Sequence, residues 1–381
     1  MSAVTVIGAG LAGTVAAARL VHLGVPVRLI HDRPGVTPMH GGGWLLGLET
    51  LAGVPAARMD EVLAFLEGGL PELALTDGPF DLLDTDGVVR EVDVAPASHA
   101  AGASLPPGSA AVDLLGLGHP FAEMCKGFKT LAIDWPTWPG AFGRSYAAAA
   151  QRLEDDATGL DALAEALRAA LARQPAPGLL LPPVLGLTAV EARRARLQAA
   201  VGVPVAEALG TVPSTPGLRL WRALADWRAR LAPGLTLVEG RVTALDLKSR
   251  SLLVGHDRHP FDALILATGG PIPGGLTSAG SVTEPLLGLR ITPELACDWQ
   301  RSVRPDRPYD ADLFRAGVAV DAAFRPTRHD GRPVDRRLFA VGDLVAGVDA
   351  VADRCGSGLA ILSGFIAAEA AAAAVQGKEA P

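Results

Sequence analysis

The chain has 381 residues, and at roughly 150 residues per domain this predicts two to three globular domains. With 49% hydrophobic and 20% charged residues, the composition excludes an intrinsically disordered chain. The formal net charge of −7 leaves no basic excess for sequence-independent binding of nucleic acid. The three cysteines (Cys125, Cys297 and Cys355) include no Cys-x-x-Cys pair, which argues against a disulfide framework, a structural zinc or an iron–sulfur cluster and favours a cytoplasmic setting.

The first thirty residues predict a strand–helix–strand unit. Val4–Ile7 and Val25–Ile30 are apolar strand patterns, Thr14–Leu23 has helical periodicity, and the order indicates a parallel sheet. Between the first strand and the helix lies a Gly-x-Gly-x-x-Gly motif, whose glycines allow a tight turn, the approach of a phosphate and close helix packing. The motif predicts cofactor binding by Gly8, Gly10, Leu11, Ala12 and Gly13.

The end of the second strand carries no acidic residue at the position that usually binds the adenosine ribose of a dinucleotide. His31 occupies it, and Asp32 follows one residue later. Two interpretations stay open. Either the adenosine half is absent and the cofactor is FMN, or Asp32 takes the role after a small shift and the cofactor is FAD.

The middle of the chain predicts an insertion. Helical patterns occur at Leu45–Gly53, Asp60–Leu70, Tyr146–Leu153, Leu160–Gln174, Thr188–Val201 and Leu218–Leu231. A hairpin is expected at Phe80–Leu83 and Val88–Val92, irregular structure over Ala95–Gly118, and a short strand at Leu179–Leu181. Strand patterns return from Leu235, so residues 1–55 plus 233–381 are expected to form one discontinuous domain and residues 56–232 a second, inserted domain.

Two later strands end in small polar residues. Phe261–Ala267 is followed by Thr268, Gly269 and Gly270, and Leu338–Val341 by Gly342 and Asp343. Both segments resemble cofactor-binding signatures of two-dinucleotide-binding flavoproteins, in which the aspartate hydrogen-bonds the ribityl chain. Gly356, Ser357 and Gly358 open a last helix, expected to be buried rather than membrane-spanning although Gly358–Val375 is strongly apolar. A second Gly-x-Gly-x-x-Gly is absent, so electrons are not expected to come from NADH.

Over most of its length, and most strongly at its two ends, the chain resembles the B subunit of anaerobic glycerol-3-phosphate dehydrogenase. The resemblance rests on Gly8–Gly13, on the segment from Met39 through His40, Gly41, Gly42 and Gly43 to Leu46, on the segment from Glu284 to Leu289, and on Phe339–Gly358. It implies an α/β fold, namely a Rossmann-like two-dinucleotide-binding flavoprotein domain with an inserted α/β second domain. It also implies an FMN cofactor, an FAD-containing dehydrogenase subunit and an iron–sulfur membrane-anchor subunit as partners, and a cytoplasmic location, peripheral to the inner membrane through a partner.

The implied reaction oxidises sn-glycerol 3-phosphate to dihydroxyacetone phosphate and passes electrons to a quinone. His40 is a candidate base beside the expected flavin, and Gly41, Gly42 and Gly43 are candidate flavin contacts. Candidate phosphate contacts are Lys126, Lys129 and Arg354. Two alternatives stay open: a stand-alone FAD-dependent oxidoreductase resembling the fumarate reductase group, and a non-catalytic flavin electron-transfer subunit.

Overall fold

A computed structural model of the protein describes residues 4–33, 35–45, 56–117, 119–134, 145–212, 214–278, 281–294, 315–348 and 356–377. In chain order the helices are α1 Leu11–His22, α2 Ala56–Gly69, α3 Ala97–Ala100, α4 Phe121–Met124, α5 Tyr146–Asp155, α6 Gly159–Arg173, α7 Val190–Val201, α8 Thr215–Arg230 and α9 Gly356–Gln376. Short 3-10 helices lie at Thr37–Met39, Pro71–Leu73, Ala101–Ser104 and Gly342–Leu344.

The strands are β1 Val4–Ile7, β2 Val27–His31, β3 Leu75–Leu83, β4 Val89–Pro96, β5 Ala110–Leu115, β6 Lys129–Asp134, β7 Leu179–Leu181, β8 Val205–Glu207, β9 Leu235–Glu239, β10 Val242–Asp246, β11 Ser251–Val254, β12 Asp257–Pro260, β13 Ala263–Leu266, β14 Thr277–Ser278, β15 Val282–Thr283, β16 Ile291–Thr292, β17 Gly317–Val318 and β18 Leu338–Ala340.

The chain divides into two compact units. Unit 1 comprises Met1–Val36, Leu45–Phe65 and Leu224–Pro381, and unit 2 comprises Thr37–Trp44 and Leu66–Ala223. The boundaries expected from the sequence, 1–55 plus 233–381 against 56–232, remain a prediction. One difference from the two observed units concerns function: residues 37–44 lie in unit 2, whereas the sequence places them in the first domain.

Unit 1 is built on a five-stranded sheet in the order β18-β13-β1-β2-β9. All four strand pairs are parallel, as the strand–helix–strand pattern predicts. Every residue of β1 and β13 is buried, which explains their uninterrupted apolar sequences. A three-stranded antiparallel sheet, β10-β11-β12, follows β9 in the chain. The predicted α/β class with a Rossmann-like parallel sheet is confirmed.

Helix α9 packs along α1 in unit 1. Among the described helices it alone is long and apolar enough to cross a membrane, and 78% of its most apolar window is buried within the protein. Glu369 interrupts this apolar sequence, and its carboxylate accepts hydrogen bonds from Arg19 at 2.5 Å and from Arg58. The paired glutamate is consistent with the expected buried helix.

Unit 2 contains a second parallel sheet, in the order β6-β5-β7-β8. The irregular structure expected over Ala95–Gly118 is wrong, because β5 lies inside that range and pairs with both β6 and β7. Asp113 breaks the apolar pattern of β5, yet it is 9% exposed and accepts a 2.6 Å hydrogen bond from the backbone of Ala122. A buried polar residue satisfied by distant backbone leaves no periodic signal in the sequence. The expected hairpin is confirmed, with β3 antiparallel to β4.

Candidate functional site

The glycine motif of unit 1 is shaped by close backbone contacts. Gly8 follows β1 with φ of +111°, and its N–H donates to the carbonyl of Ile30 at 2.8 Å. A Cβ at Gly8 would fall less than 3.0 Å from the carbonyl oxygen of Ala267. A Cβ at Gly13 would also fall less than 3.0 Å from the carbonyl oxygen of Gly8. Both positions therefore exclude any side chain, and the loop lies directly against the ends of β1 and β13.

Helix α1 begins at this loop without a side-chain cap. Gly10 is the N-cap residue, it supplies no side-chain hydrogen bond, and the first turn contains no acidic residue. The N-terminus of a helix carries partial positive charge and directs N–H groups outward, which makes it a site for anions such as phosphate. Leu11 and Ala12, two of the predicted contacts, form this first turn.

Two further loops reach the same edge of the sheet. Because β1, β13 and β18 are neighbours and parallel, the segments after them lie together at their carboxyl ends. Thr268 follows β13, and its Oγ1 is buried without a hydrogen-bond partner among the described residues. Gly342 follows β18, and its N–H donates to Ser363 Oγ at 2.8 Å. The structure thus brings together the predicted contacts Gly8–Gly13, Thr268–Gly270 and Gly342–Asp343.

Asp343 is the titratable group of this edge. Burial raises the pKa of its carboxyl from 3.8 to about 6. The backbone of Asp343 also lies close to Gly270, since a Cβ there would be 3.0 Å from the Asp343 carbonyl oxygen. A carboxyl with this pKa accepts hydrogen bonds when ionised and can donate one when protonated.

The last predicted contacts belong to the start of α9. Gly356, Ser357 and Gly358 form its first turn, Ser357 and Gly358 are buried, and α9 packs against the 3-10 helix Gly342–Leu344. Arg354 lies outside the described residues.

The end of β2 lies near two carboxylates, one of which is not adjacent in sequence. His31 is the last residue of the strand, and Asp32 is exposed, with a 3.4 Å ion pair to Arg33. The register of β2 and β9 places Glu239 opposite His31. Glu239 is 208 positions away in sequence (239 − 31), so only the sheet brings it to this edge. A carboxylate therefore lies opposite the end of β2, and the sequence at His31 does not by itself favour FMN over FAD.

A buried arginine lies behind the glycine motif. Arg228 on α8 is 6% exposed, and its Nη1 donates to the carbonyl of Ala9 at 3.0 Å and to Thr14 Oγ1 at 2.9 Å. Burial lowers its pKa to about 10, so the guanidinium stays charged at neutral pH. Arg228 is not among the site residues predicted from the sequence, although its position on the apolar face of α8, one turn after Leu224, is a signal that could have marked it.

The loop predicted beside the flavin belongs to unit 2, and the flavin contacts expected of His40 and Gly41–Gly43 remain a prediction. Its backbone is fixed there. The Gly210 N–H donates to the carbonyl of Gly41 at 2.7 Å, and the Trp44 N–H donates to that of Val94 at 2.8 Å. Such long-range backbone pairing cannot be inferred from a glycine-rich stretch.

Unit 2 has a cleft of about 410 Å³ that includes space open to solvent. Its lining combines apolar and polar side chains, namely His40, Gly42, Trp44, Glu72, Leu73, Pro96, Ser98, His99, Val190, Glu191, Pro216, Arg219 and Leu220. Lys126 and Lys129 are both exposed and line no part of it.

One ring nitrogen of His40 accepts a hydrogen bond from its own loop. Its Nδ1 accepts the Gly42 N–H at 3.0 Å, so in the neutral ring Nε2 carries the proton. Burial, with a smaller contribution from the neighbouring His99, lowers the pKa of His40 to about 4.

His99 holds the opposite tautomer. Its Nδ1 lies 3.2 Å from the carbonyl oxygen of Glu207, which can only accept, so Nδ1 carries the proton. Nε2 is therefore an acceptor, and it is buried without a partner in the described part of the chain. Burial is the main cause that lowers the pKa of His99 to about 4. No motif marked His99, because it lies in the stretch expected to be irregular.

The cation of this cleft is neutralised. Arg219 makes a buried bidentate ion pair with Glu207 at 2.7 and 2.9 Å, and its Nε donates to the carbonyl of Gly186. Burial alone would raise the pKa of Glu207, but the charge and hydrogen bonds of Arg219 hold it below its usual range. The described lining is thus poorly suited to an anionic group.

Comparison with known proteins supports the sequence resemblance. The chain is 32% identical over 200 residues to the B subunit of anaerobic glycerol-3-phosphate dehydrogenase from Pectobacterium carotovorum, a match that covers 50% of this chain and 46% of that protein. A probable B subunit of the same enzyme from Halobacterium salinarum is 32% identical over 220 residues, or 56% of this chain and 51% of that one. Over half its length, this chain is similar to the B subunit of anaerobic glycerol-3-phosphate dehydrogenase.

The predicted resemblance to this B subunit is confirmed by these matches, and the chain spans about half the length of the curated relatives it matches. No family model matches the sequence. Among solved structures, a 3-ketosteroid delta1-dehydrogenase from Sterolibacterium denitrificans is 13% identical, with a TM-score of 0.44 and coverage of 98% of this chain and 100% of that one. A glycine oxidase from Bacillus cereus is 10% identical with a TM-score of 0.37, covering 100% and 96%. At these values the likeness identifies neither an activity nor a ligand.

Proposed function

We propose that this chain is the flavin-binding B subunit of an anaerobic glycerol-3-phosphate dehydrogenase. The observation that carries the proposal is the convergence of three loops at the carboxyl ends of β1, β13 and β18. Three features meet there: the N-terminus of α1, whose N-cap Gly10 offers no side chain, the carboxyl of Asp343, and the buried hydroxyl of Thr268, which has no hydrogen-bond partner among the described residues. The names of the curated relatives supply the substrate and the enzyme class.

The residues of this edge fit a flavin nucleotide. The first turn of α1 would hold a phosphate, Thr268 would gain the hydrogen bond it lacks, and Asp343 would bind hydroxyl groups of the ribityl chain. A bound flavin would supply the group that accepts a hydride or carries electrons. We propose FMN as the cofactor, with FAD as the alternative that Asp32 and Glu239 leave open.

The wider proposal concerns the complex. Oxidation of sn-glycerol 3-phosphate at C2 would give dihydroxyacetone phosphate and pass two electrons to a quinone. The partners would be an FAD-containing dehydrogenase subunit and an iron–sulfur subunit that anchors the complex to the cytoplasmic face of the inner membrane. The exposed Lys126 and Lys129, together with Arg354, remain proposed contacts for the substrate phosphate.

The histidines of unit 2 favour a second candidate, a subunit that relays electrons without abstracting a substrate proton. A general base works best when its pKa lies near the operating pH, whereas His40 and His99 both have pKa values of about 4. In addition, Nδ1 of His40 is already occupied by the Gly42 N–H. In this candidate function, glycerol 3-phosphate would be oxidised on the partner subunit.

One experiment tests both candidates. The full chain is purified with bound cofactor, the flavin is released by mild denaturation and identified, and the intact protein is titrated anaerobically with glycerol 3-phosphate. Bleaching of the flavin absorbance by substrate alone supports the dehydrogenase. Bleaching that requires the FAD-containing partner supports the relay. A colourless protein after expression with ample riboflavin contradicts both, and turnover with a dye acceptor without any partner favours a stand-alone oxidoreductase.

A further inference from the structure

Arg228 connects the glycine motif to the helix that follows it. Its Nη1 donates both to the carbonyl of Ala9, between the first two glycines, and to Thr14 Oγ1 in α1. Thr14 Oγ1 itself lies 3.4 Å from the Ala9 carbonyl oxygen. One guanidinium nitrogen therefore holds the loop and the start of the helix in a single network within unit 1.

The charge of Arg228 has the same sign as the end of the helix that it contacts. A cation is favourable at a helix C-terminus and unfavourable at an N-terminus, where the backbone carries partial positive charge. Arg228 is nevertheless 6% exposed at this N-terminus, and the first turn of α1 contributes no acidic side chain. An anion bound at the glycine motif would be attracted by the helix N-terminus and by the nearby guanidinium, in surroundings of low dielectric where charges interact strongly.

We propose that Arg228 is a positioning residue for the phosphate of the bound nucleotide. It fixes the Ala9 carbonyl and the first turn of α1, and it adds positive charge behind the loop. The inference rests on the proposed flavin binding and adds a consequence to it. Selectivity for phosphorylated flavins over riboflavin depends on a residue more than two hundred positions from the motif (228 − 9 = 219).

The test compares ligands with and without a phosphate. Binding of FMN, FAD and riboflavin to the flavin-free full chain is measured by quenching of flavin fluorescence, for the wild type, Arg228→Met and Arg228→Lys. Arg230→Met is the control, because Arg230 is exposed on the same helix and its loss changes the net charge equally.

We expect Arg228→Met to weaken binding of FMN and FAD by about tenfold or more and to leave riboflavin binding unchanged. Arg228→Lys keeps the charge but loses the planar guanidinium, so its affinity for FMN and FAD should lie between those of Arg228→Met and the wild type. The loss in Arg228→Met should diminish as salt is added, and Arg230→Met should behave as the wild type.

Three results would overturn the inference. An equal loss for FMN and riboflavin would show that Arg228 only supports the fold, and an unchanged affinity for FMN would show that it does not act on the phosphate. If Arg228→Met fails to fold, Arg228→Lys decides the question: a chain with the native thermal midpoint that binds FMN and riboflavin in the wild-type ratio rejects the positioning role. A wild-type chain that binds none of the three flavins refutes the proposed function as well, so the two failures are distinguishable.

Discussion

At the scale of single residues, the most informative groups are buried and titratable, and they shift in ways that oppose each other. Burial favours the neutral form of any ionisable group, so it raises the pKa of Asp343 to about 6 and lowers that of His99 to about 4. A raised carboxyl pKa makes the folded state less stable as pH rises, whereas a lowered histidine pKa makes it less stable as pH falls.

Replacing Asp343 by asparagine should stabilise the flavin-free chain at neutral pH. The folded-state pKa of about 6 exceeds the ordinary 3.8, so the folded state loses stability as pH rises from about 4 to 6. At pH 7 the ionised carboxylate costs about 3 kcal/mol, which Asp343→Asn removes. Urea unfolding at pH 7 should show the gain, unfolding near pH 4 should not, and the exposed Asp257→Asn serves as control. A variant destabilised equally at both pH values would contradict the expectation.

Replacing His99 by glutamine should remove an acid sensitivity. The ring has a pKa of about 4 when folded and 6.5 when unfolded, so the unfolded state takes up the proton first and stability falls as pH drops from about 6.5 to 4. The full loss for this residue is about 3 kcal/mol. His99→Gln should flatten the dependence of the unfolding free energy on pH, and the exposed His256→Gln should not. Retention of the full slope in His99→Gln would disprove the assignment.

At the scale of elements, a small charged network joins α1, α9 and the first part of α2 in unit 1. Glu369 of α9 accepts from Arg19 of α1 and from Arg58 of α2, with the Arg19 guanidinium 4.2 Å from the ring centroid of Phe365. Glu61 of α2 pairs with the same two arginines but is 41% exposed, whereas Glu369 is 12% exposed. Because Glu369 is more buried than Glu61, losing its charge should cost more stability.

Glu369→Gln should therefore destabilise the protein more than Glu61→Gln. Removing one partner of a largely buried pair leaves charge uncompensated and should lower the unfolding free energy by about 2–3 kcal/mol. The more exposed pair should contribute less than about 1 kcal/mol. Urea unfolding of the two matched variants measures the difference. Equal losses would mean that the network is held by solvent-screened attraction alone.

The glycine motif offers a second contrast between elements. Gly13 and Gly68 both lie in helices, where alanine is intrinsically better by about 1 kcal/mol. A Cβ at Gly68 meets nothing within 4 Å, whereas one at Gly13 would fall less than 3.0 Å from the Gly8 carbonyl. Gly68→Ala should thus raise the thermal midpoint slightly. Gly13→Ala should lower it and weaken flavin binding, and a stable Gly13→Ala chain with wild-type affinity would contradict this geometry.

At the scale of the whole molecule, the two opposing groups belong to different units. Asp343 lies in unit 1, while His99 and His40 lie in unit 2. Calorimetry of the flavin-free chain should resolve two transitions. As the pH rises from 5 to 7, the transition of unit 2 should move to higher temperature because His99 has a lowered pKa. The transition of unit 1 should move to lower temperature because Asp343 has a raised pKa. Saturating flavin should raise the midpoint temperature of the unit 1 transition only, which is the transition that Asp343→Asn also shifts. A single transition with one pH dependence would show that the two units unfold together and would contradict this expectation.

The sequence by itself determined the parts of this protein that depend on local pattern. The strand–helix–strand unit, the position of the glycine motif, the buried strands that precede Thr268 and Gly342 and the amphipathic α8 follow from periodicity and from glycine spacing. Such features arise within a few turns or strands, where the physical requirement and the sequence signal occupy the same residues.

Only the tertiary structure decided the rest. It paired Glu239 with His31, placed Arg228 behind Ala9, moved the loop at His40 into unit 2 and showed β5 where Asp113 had broken the pattern. It also fixed the tautomers of His40 and His99 through their hydrogen bonds to the backbone. Apart from the hydrogen bond within the His40 loop, each of these depends on contacts between segments that only the fold brings together. The desolvation that shifts a pKa is likewise a property of the folded surroundings.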